Sequence, residues 1–122
     1  MYKQQFRFLK WDVYKDAKGL LSLVFETVKR LPKEYKFTLG SQIIRAAFSI
    51  VLNIAEGSGK DSEKELNRYF EISLGSVYEV LAAVDCLKDN NLITQEEFDL
   101  FLNKLKKIAD QIGGFKKSLK SP

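Results

Sequence analysis

The most apolar part of the chain is the segment 41–57. At the roughly 100° turn per residue of an α-helix, its apolar residues cover most of the circumference, which predicts a buried helix. Five polar residues interrupt this pattern at intervals of three and four, so they share one stripe: Gln42, Arg45, Ser49, Asn53 and Glu56. Because buried polar groups need hydrogen-bond partners, a neighbouring helix is expected to supply them.

The same spacing of apolar residues recurs in three other segments and predicts three more helices. The four predicted helices cover residues 11–31, 41–57, 62–88 and 94–118. An N-terminal arm, residues 1–10, carries aromatic residues and is expected to dock on the helices. Four amphipathic helices with short connections predict one all-α domain over residues 1–122, an antiparallel up-down-up-down four-helix bundle.

Local signals set the helix boundaries. Pro32 ends the first helix, and Gly57 is the residue type favoured just after a helix C-terminus. Ser62 and Thr94 each precede a glutamate by three residues, which is the capping box that begins a helix. The Gly57–Lys60 connector contains a Gly-Ser-Gly-Lys sequence, but it follows a helix and lacks the spacing of a phosphate-binding loop.

Folding the second and third helices back on each other aligns their polar stripes. Positions that face each other then have numbers that sum to about 124, an estimate from the geometry of a helical hairpin. The eight side chains of this predicted structural network are Gln42, Arg45, Ser49, Asn53, Glu56, Arg68, Ser76 and Glu79. Its predicted pairs are Arg45 with Glu79, Ser49 with Ser76, and Glu56 with Arg68. Ion pairs of this kind would fix the register of the two helices, and the alternative is a ligand or catalytic cleft lined by Asn53, Glu56 and Glu79.

The chain has no histidine and one cysteine, Cys86. This composition removes the Ser-His and Cys-His nucleophile pairs, imidazole metal sites and multi-cysteine metal sites. We therefore expect no catalytic residue, no metal, no cofactor and no enzymatic activity. Cys86 is expected to be a small buried residue, and Phe37 and Leu39 are expected to point inward.

The net charge of +4 is unevenly distributed. It is +5 over residues 1–40, zero over 41–57, −6 over 58–102 and +5 over 103–122. The lysines near the C-terminus are candidates for contacts with nucleic-acid phosphates: Lys104, Lys106, Lys107, Lys116, Lys117 and Lys120. The alternative is an ordinary solvated face. Four aromatic residues, Trp11, Tyr14, Tyr69 and Tyr78, could stack on bases, although aromatics at helical spacing more often pack in a core or an interface.

No N-terminal apolar run resembles a signal peptide, and no uncharged apolar stretch reaches the roughly 18 residues that span a membrane. A single cysteine fits a reducing compartment. The sequence therefore predicts a cytoplasmic protein without a membrane partner.

Two motifs carry a resemblance to a known family. Gln42–Ile50 followed by Asn53–Gly57, with Gly75–Glu79 downstream, resembles the signature of the four-helix-bundle proteins named for intervening sequences in bacterial 23S ribosomal RNA. The resemblance covers nearly the whole chain, and the family's characteristic polar positions coincide with the predicted network.

The resemblance implies a four-helix bundle that assembles into a ring-like homopentamer, without family catalytic residues to carry over. A related group assists reverse transcriptases by binding nucleic acid through a basic surface of the ring. The leading hypothesis is a non-enzymatic, self-assembling bundle that binds RNA or DNA through basic surfaces. The alternative is a structural or adaptor module for a protein partner such as a polymerase, without nucleic-acid binding of its own. A third possibility is an enzyme that uses Glu56 and Glu79.

Overall fold

A computed structural model describes residues 5–120 of the chain, with side chains described as far as Ser118. The described residues are helical, with no strand, which confirms the prediction of an all-helical protein. Four long helices lie within two residues of their predicted bounds, and two short helical segments accompany them. These elements are a 3-10 helix at Arg7–Lys10, α1 at Asp12–Lys29, a one-turn α2 at Lys33–Lys36, α3 at Leu39–Ser58, α4 at Glu63–Asp89 and α5 at Gln95–Lys120.

The core lies between the four long helices, and each contributes apolar residues to it. The inner stripe of α3 is the part expected from its apolar pattern, and its buried members include Ile43, Ala47, Ile50 and Ile54. Helix α5 runs without a break through Gly113 and Gly114, although glycine has a low helix propensity.

The N-terminal arm docks on the bundle, as the sequence predicts. The ring of Trp11 lies 5.0 Å from that of Phe115, which in turn lies 5.0 Å from that of Phe70 in the core. Phe8 of the 3-10 helix packs edge-on against Tyr14 with ring centroids 4.8 Å apart. The contact of Phe8 ties the arm to α1, and Trp11, the residue that follows the arm, packs against α4 and α5.

The expectation for Phe37 and Leu39 is wrong, because 76% of Phe37 and 42% of Leu39 are exposed. The inward position is taken by Gly40, which is buried where α3 meets α1. A Cβ atom on Gly40 would lie only 2.7 Å from a methyl group of Val28, so a larger residue could not sit there without a shift. Gly40 thus occupies the inward place at the start of α3, and Phe37 and Leu39 lie on exposed sides.

The segment Lys33–Ser58 meets the length and composition of a membrane span when up to two charged residues are allowed, with a mean hydropathy of 1.4. The criterion uses length and composition alone, and the core helix of a water-soluble bundle satisfies it equally. Eight residues of α3 are buried among the other helices, so its apolar character is explained in part by the bundle core.

Candidate functional site

The polar residues between α3 and α4 form a chain of hydrogen bonds. The hydroxyl of Ser76 donates to the hydroxyl of Ser49 at 2.8 Å, and the hydroxyl of the fully buried Ser73 donates to the carbonyl of Ile50 at 2.9 Å. The amide nitrogen of Asn53 donates to the carbonyl and the hydroxyl of Ser49, at 2.8 Å and 3.0 Å. These bonds satisfy polar groups that the helix contact partly or wholly removes from water.

The predicted contact of Ser49 with Ser76 is therefore present in the structure. Ser73 is a member of this group that the sequence reasoning missed. Its position could have been noticed, because it lies three residues after Phe70 and four before Val77, on the buried stripe of α4. A serine among such residues needs a partner, and the carbonyl of Ile50 supplies it.

The two predicted ion pairs are absent from the structure. Glu79 accepts a hydrogen bond from the side-chain amide of Gln42 at 2.8 Å, and Arg68 pairs with Glu65 on its own helix at 3.3 Å. Arg45 is exposed, because the three-residue step from Gln42 turns it about 60° further from α4.

Arg45 and Glu56 both point to solvent from α3. Within the part of the chain that the structure describes, neither makes a side-chain hydrogen bond or an ion pair. The predicted network thus divides in two: its serines and Asn53 face α4, while these two charges face outward.

Large apolar side chains are exposed on α3 and on its neighbouring helices. Phe48 is 46% exposed and Leu52 is 48% exposed on α3, and Ile72 is 41% exposed on the neighbouring α4. Phe25 on α1 is also exposed. The expectation that α3 is buried on most sides is therefore met only for its inner stripe.

Two depressions open on the ends of the bundle. One encloses about 910 Å³ beside the arm and the α3–α4 connector, and Glu56 lies on its wall without Glu79 or Asn53. The predicted cleft of those three residues is consequently not assembled. The other is an apolar groove of about 480 Å³. It is lined by Tyr35, Leu39, Gln42, Ile43, Ala83, Cys86, Leu87, Asn90 and Leu92.

Cys86 is exposed at the edge of the apolar groove, so the expectation that it is buried is wrong. The reason is its angular position on α4, where the neighbouring Leu87 takes the inward place. The described residues contain no cluster of three side chains that could hold a metal ion.

Three of the six candidate lysines of α5 are paired with carboxylates. Lys106 lies 2.9 Å from Asp110, Lys107 lies 3.5 Å from Asp16 on α1, and Lys116 lies 3.7 Å from Glu71 on α4.

The remaining candidates differ in their surroundings. Lys104 is half-buried without an ion pair among the described residues, Lys117 is exposed, and the side chain of Lys120 lies outside the described residues. The structure does not gather these lysines into a single cluster, since they belong to different sides of a helix that runs the length of the bundle.

Three of the four aromatic residues that are candidates for base stacking have the cationic side chain of a nearby residue over their ring. Arg7 lies 5.3 Å from the ring of Trp11, Lys18 lies 4.8 Å from that of Tyr14, and Lys60 lies 5.1 Å from that of Tyr69. Tyr78 is 68% exposed, which leaves its ring accessible.

A family model described as 23S rRNA-intervening sequence protein matches residues 10–114, which is most of the chain. The chain belongs to this family. In addition, the fold of this intervening sequence protein matches a crystal structure from Bacteroides thetaiotaomicron, described as a protein of unknown function from the S23 ribosomal protein family and determined at 1.70 Å resolution. The TM-score is 0.80 at 22% sequence identity, and the match covers 86% of this chain and 98% of that one. The comparison with curated proteins gives no match.

Family membership gives the exposed charges of α3 a context. The positions by which this intervening sequence protein resembles its family include both the inward Ser49 and Ser76 and the outward Arg45 and Glu56. The inward pair has a role in the subunit, because it joins α3 to α4. The outward pair has no side-chain partner among the described residues.

Proposed function

We propose that this intervening sequence protein is a non-enzymatic, cytoplasmic helical bundle that self-associates and binds RNA or DNA through basic surfaces. The observation that carries the proposal is the exposed outer side of α3, where Phe48 and Leu52 lie between the unpaired Arg45 and Glu56. Apolar residues grouped on an otherwise polar surface are typical of a protein interface.

The proposed architecture is an antiparallel up-down-up-down four-helix bundle. The order of the contacts between α1 and α5 supports it, because Arg30 near the end of α1 pairs with Glu97 near the start of α5. Asp16 near the start of α1 pairs with Lys107, further along α5. The contacts of Gln42 with Glu79 and of Ser49 with Ser76 run in the same opposed sense.

The proposed assembly is a homopentamer, which follows from the family resemblance. Five subunits of 14.0 kDa correspond to a mass of about 70 kDa. A ring would also repeat each basic patch around its axis, and several weak contacts on one nucleic acid raise the overall affinity.

The proposed contacts with nucleic acid rest on the net charge of +4 and on the lysines of α5. The ion pair of Lys106 with Asp110 is exposed on both sides, and exposed pairs contribute only about 0–1 kcal/mol. A phosphate can therefore replace the carboxylate at low cost. Binding of this kind is nearly independent of base sequence and weakens as salt rises.

A protein-binding adaptor is the second candidate. The observation that favours it is the apolar groove beside the exposed Tyr35 and Leu39, next to the exposed Phe37. Such a groove fits apolar side chains of a protein better than it fits a nucleic acid.

Light scattering with a mixed RNA pool tests these proposals. We expect an assembly whose mass increases with RNA at about 50 mM salt and returns to that of the protein alone at about 200 mM. An assembly that is indifferent to RNA at both salt concentrations would favour the adaptor. RNA affinity that does not fall with salt would contradict the electrostatic account.

A further inference from the structure

The depression between the N-terminal arm and the α3–α4 connector, called the arm depression below, has walls of mixed chemistry. It encloses about 910 Å³, which lies within the range of about 300–1,000 Å³ for small-molecule sites. The cations Arg7 and Lys60, the carboxylates Glu56 and Asp61, and the ring of Phe6 line it. None of these four charged side chains makes an ion pair among the described residues. Their charges are therefore available to a ligand.

The two cations of the arm depression are positioned by aromatic rings. The guanidinium of Arg7 lies 5.3 Å from the ring centre of Trp11, and the ammonium of Lys60 lies 5.1 Å from that of Tyr69. A cation over a ring is attracted to it without being neutralised by a carboxylate. Both cations can therefore pair with a phosphate without first breaking an ion pair, unlike Lys106, which is paired with a carboxylate.

Phe6 has an unusual backbone and an exposed ring. Its φ of 57° lies in the left-handed region, which few residues other than glycine adopt. The residue is 67% exposed, so burial of the ring does not compensate for this conformation. Such strain is often found at functional sites. An exposed ring beside a cation is a surface on which a nucleobase can stack.

The charges of the arm depression favour a ligand that offers hydrogen-bond donors as well as a phosphate. Two cations and two carboxylates sum to zero, which disfavours a polyphosphate. Glu56 makes no side-chain hydrogen bond among the described residues and lies on the same wall as Lys60. A carboxylate can only accept hydrogen bonds, so the part of the ligand that meets Glu56 must donate them.

We infer that the arm depression binds a guanine nucleotide of a single-stranded nucleic acid. Phe6 stacks on the base, and Glu56 accepts hydrogen bonds from it. Arg7 and Lys60 contact the flanking phosphates. Guanine is the base whose Watson–Crick edge carries two adjacent donors, N1–H and the N2 amino group, and the other bases each present an acceptor that a carboxylate repels.

The strand must be single, because base pairing in a duplex occupies the edge that Glu56 would contact. The inference rests on the proposed nucleic-acid binding and names its site and its ligand. A ring of subunits would repeat the arm depression around its axis. One strand could then place several guanines in several subunits, which raises the overall affinity.

Fluorescence anisotropy with labelled RNA heptamers tests the inference. The heptamers consist of uridine with either guanosine or adenosine at the centre, and the full chain is used at about 50 mM salt. We expect the wild type to bind the guanosine heptamer at least about fivefold more tightly. Glu56→Gln should remove this preference, and Phe6→Ala should weaken the binding of both heptamers by about tenfold. The corresponding DNA heptamers, with thymidine for uridine, distinguish RNA from DNA as the source of the nucleotide.

The double variant Arg7→Ala/Lys60→Ala tests the phosphate contacts. It should lower the slope of log affinity against log salt by about 1.4, since each phosphate contact on a single strand contributes about 0.7. The base preference should remain, because Glu56 is unchanged.

Matched controls lie at the opposite end of α3. Phe37→Ala removes another exposed ring, and both affinities should stay unchanged. Glu34→Gln removes an exposed carboxylate, and the preference for guanosine should stay unchanged. Circular dichroism and the emission of Trp11, which is the single tryptophan and lies beside Arg7, verify the fold and the arm in each variant.

Each possible failure has a distinct meaning. Equal affinities of the wild type for the guanosine and adenosine heptamers, in both RNA and DNA, would overturn the recognition of guanine. Binding that neither Phe6→Ala nor Arg7→Ala/Lys60→Ala weakens would overturn the site and leave nucleic-acid binding to another surface. A wild-type protein that binds none of the heptamers would overturn both this inference and the proposed nucleic-acid binding, and would leave a peptide, which carries both charges, as the ligand of the depression.

Discussion

The hydroxyl of Ser76 donates a hydrogen bond to the hydroxyl of Ser49 at 2.8 Å, and this contact joins α4 to α3 at the middle of both helices. Ser49 also accepts a hydrogen bond from Asn53, so its oxygen is the centre of a small network. The network is partly buried, which makes its loss more costly than that of a surface hydrogen bond.

Replacing either serine of this pair is expected to destabilise the protein. Ser76→Ala and Ser49→Ala should each lower the free energy of unfolding by about 1 kcal/mol, since each leaves a partly buried polar group with fewer partners. The double variant should lose about 0.5–1.5 kcal/mol less than the sum. Urea unfolding measures these values, with the exposed Ser22→Ala as the control. Strictly additive effects would show that the two hydroxyls do not interact.

Replacing two glycines on adjoining helices with alanine is expected to change the free energy of unfolding in opposite directions. A Cβ atom on Gly57 would lie 2.9 Å from the Cβ atom of Tyr69 and 3.1 Å from a methyl group of Leu66, so Gly57→Ala should destabilise by about 1–3 kcal/mol. Gly75→Ala meets no atom within 4 Å and should stabilise the subunit by up to about 1 kcal/mol through helix propensity. Thermal unfolding of both variants gives the comparison. Equal effects at the two positions would contradict the packing described at Gly57.

The capping box of α5 is expected to make stability depend on pH in acid. The carboxylate of Glu97 accepts a hydrogen bond from the backbone N–H of Thr94 at 2.8 Å and pairs with Arg30, and these contacts hold the pKa of Glu97 below its ordinary value. Because the folded pKa is lower than the unfolded value, the stabilisation is complete above the unfolded value. It is lost as the pH falls through the folded one.

Glu97→Gln should therefore lower the free energy of unfolding by about 1 kcal/mol at neutral pH. The decrease should become progressively smaller between about pH 5 and pH 3. Urea unfolding across this range measures the difference from the wild type. Glu34→Gln removes an exposed carboxylate as the control. A cost that stays constant down to pH 3 would show that the carboxylate charge contributes nothing.

The lysines of α5 are expected to set the salt dependence of RNA binding. Replacing Lys104, Lys106 and Lys107 with alanine removes three candidate phosphate contacts and should lower the slope of log affinity against log salt by about 2 for single-stranded RNA. Fluorescence anisotropy over a salt series measures the slope. A second triple variant, at Lys29, Lys33 and Lys36, removes the same charge from another part of the surface. An equal decrease of this slope in the two triple variants would mean that the lysines of α5 have no special role in RNA binding.

Helix boundaries were predictable because they depend on neighbouring residues. The capping box of Thr94 and Glu97 forms both of its reciprocal hydrogen bonds, at 2.8 Å and 3.1 Å. That of Ser62 forms the bond from the N–H of Glu65, while the side chain of Glu65 pairs with Arg68 instead. The contact of Ser49 with Ser76 followed from hairpin geometry, which fixes the level of residues on facing helices.

The direction of each polar side chain was harder to predict. A helical stripe is wide enough that Ser49 faces α4 while Arg45, four residues earlier, faces solvent. The sequence pattern does not say which edge of the stripe meets the neighbouring helix, so the predicted pairing of Arg45 and Glu56 with α4 is wrong. The predicted burial of Cys86 is wrong for the same reason, because its apolar neighbours lie on a different side of α4.

The most direct test of the account is the mass of the wild-type protein in solution, measured by sedimentation velocity at several protein concentrations. The account predicts an assembly several times heavier than the 14.0 kDa subunit, because Phe48 and Leu52 are covered only when another subunit covers them. A single species of subunit mass at every concentration would contradict it.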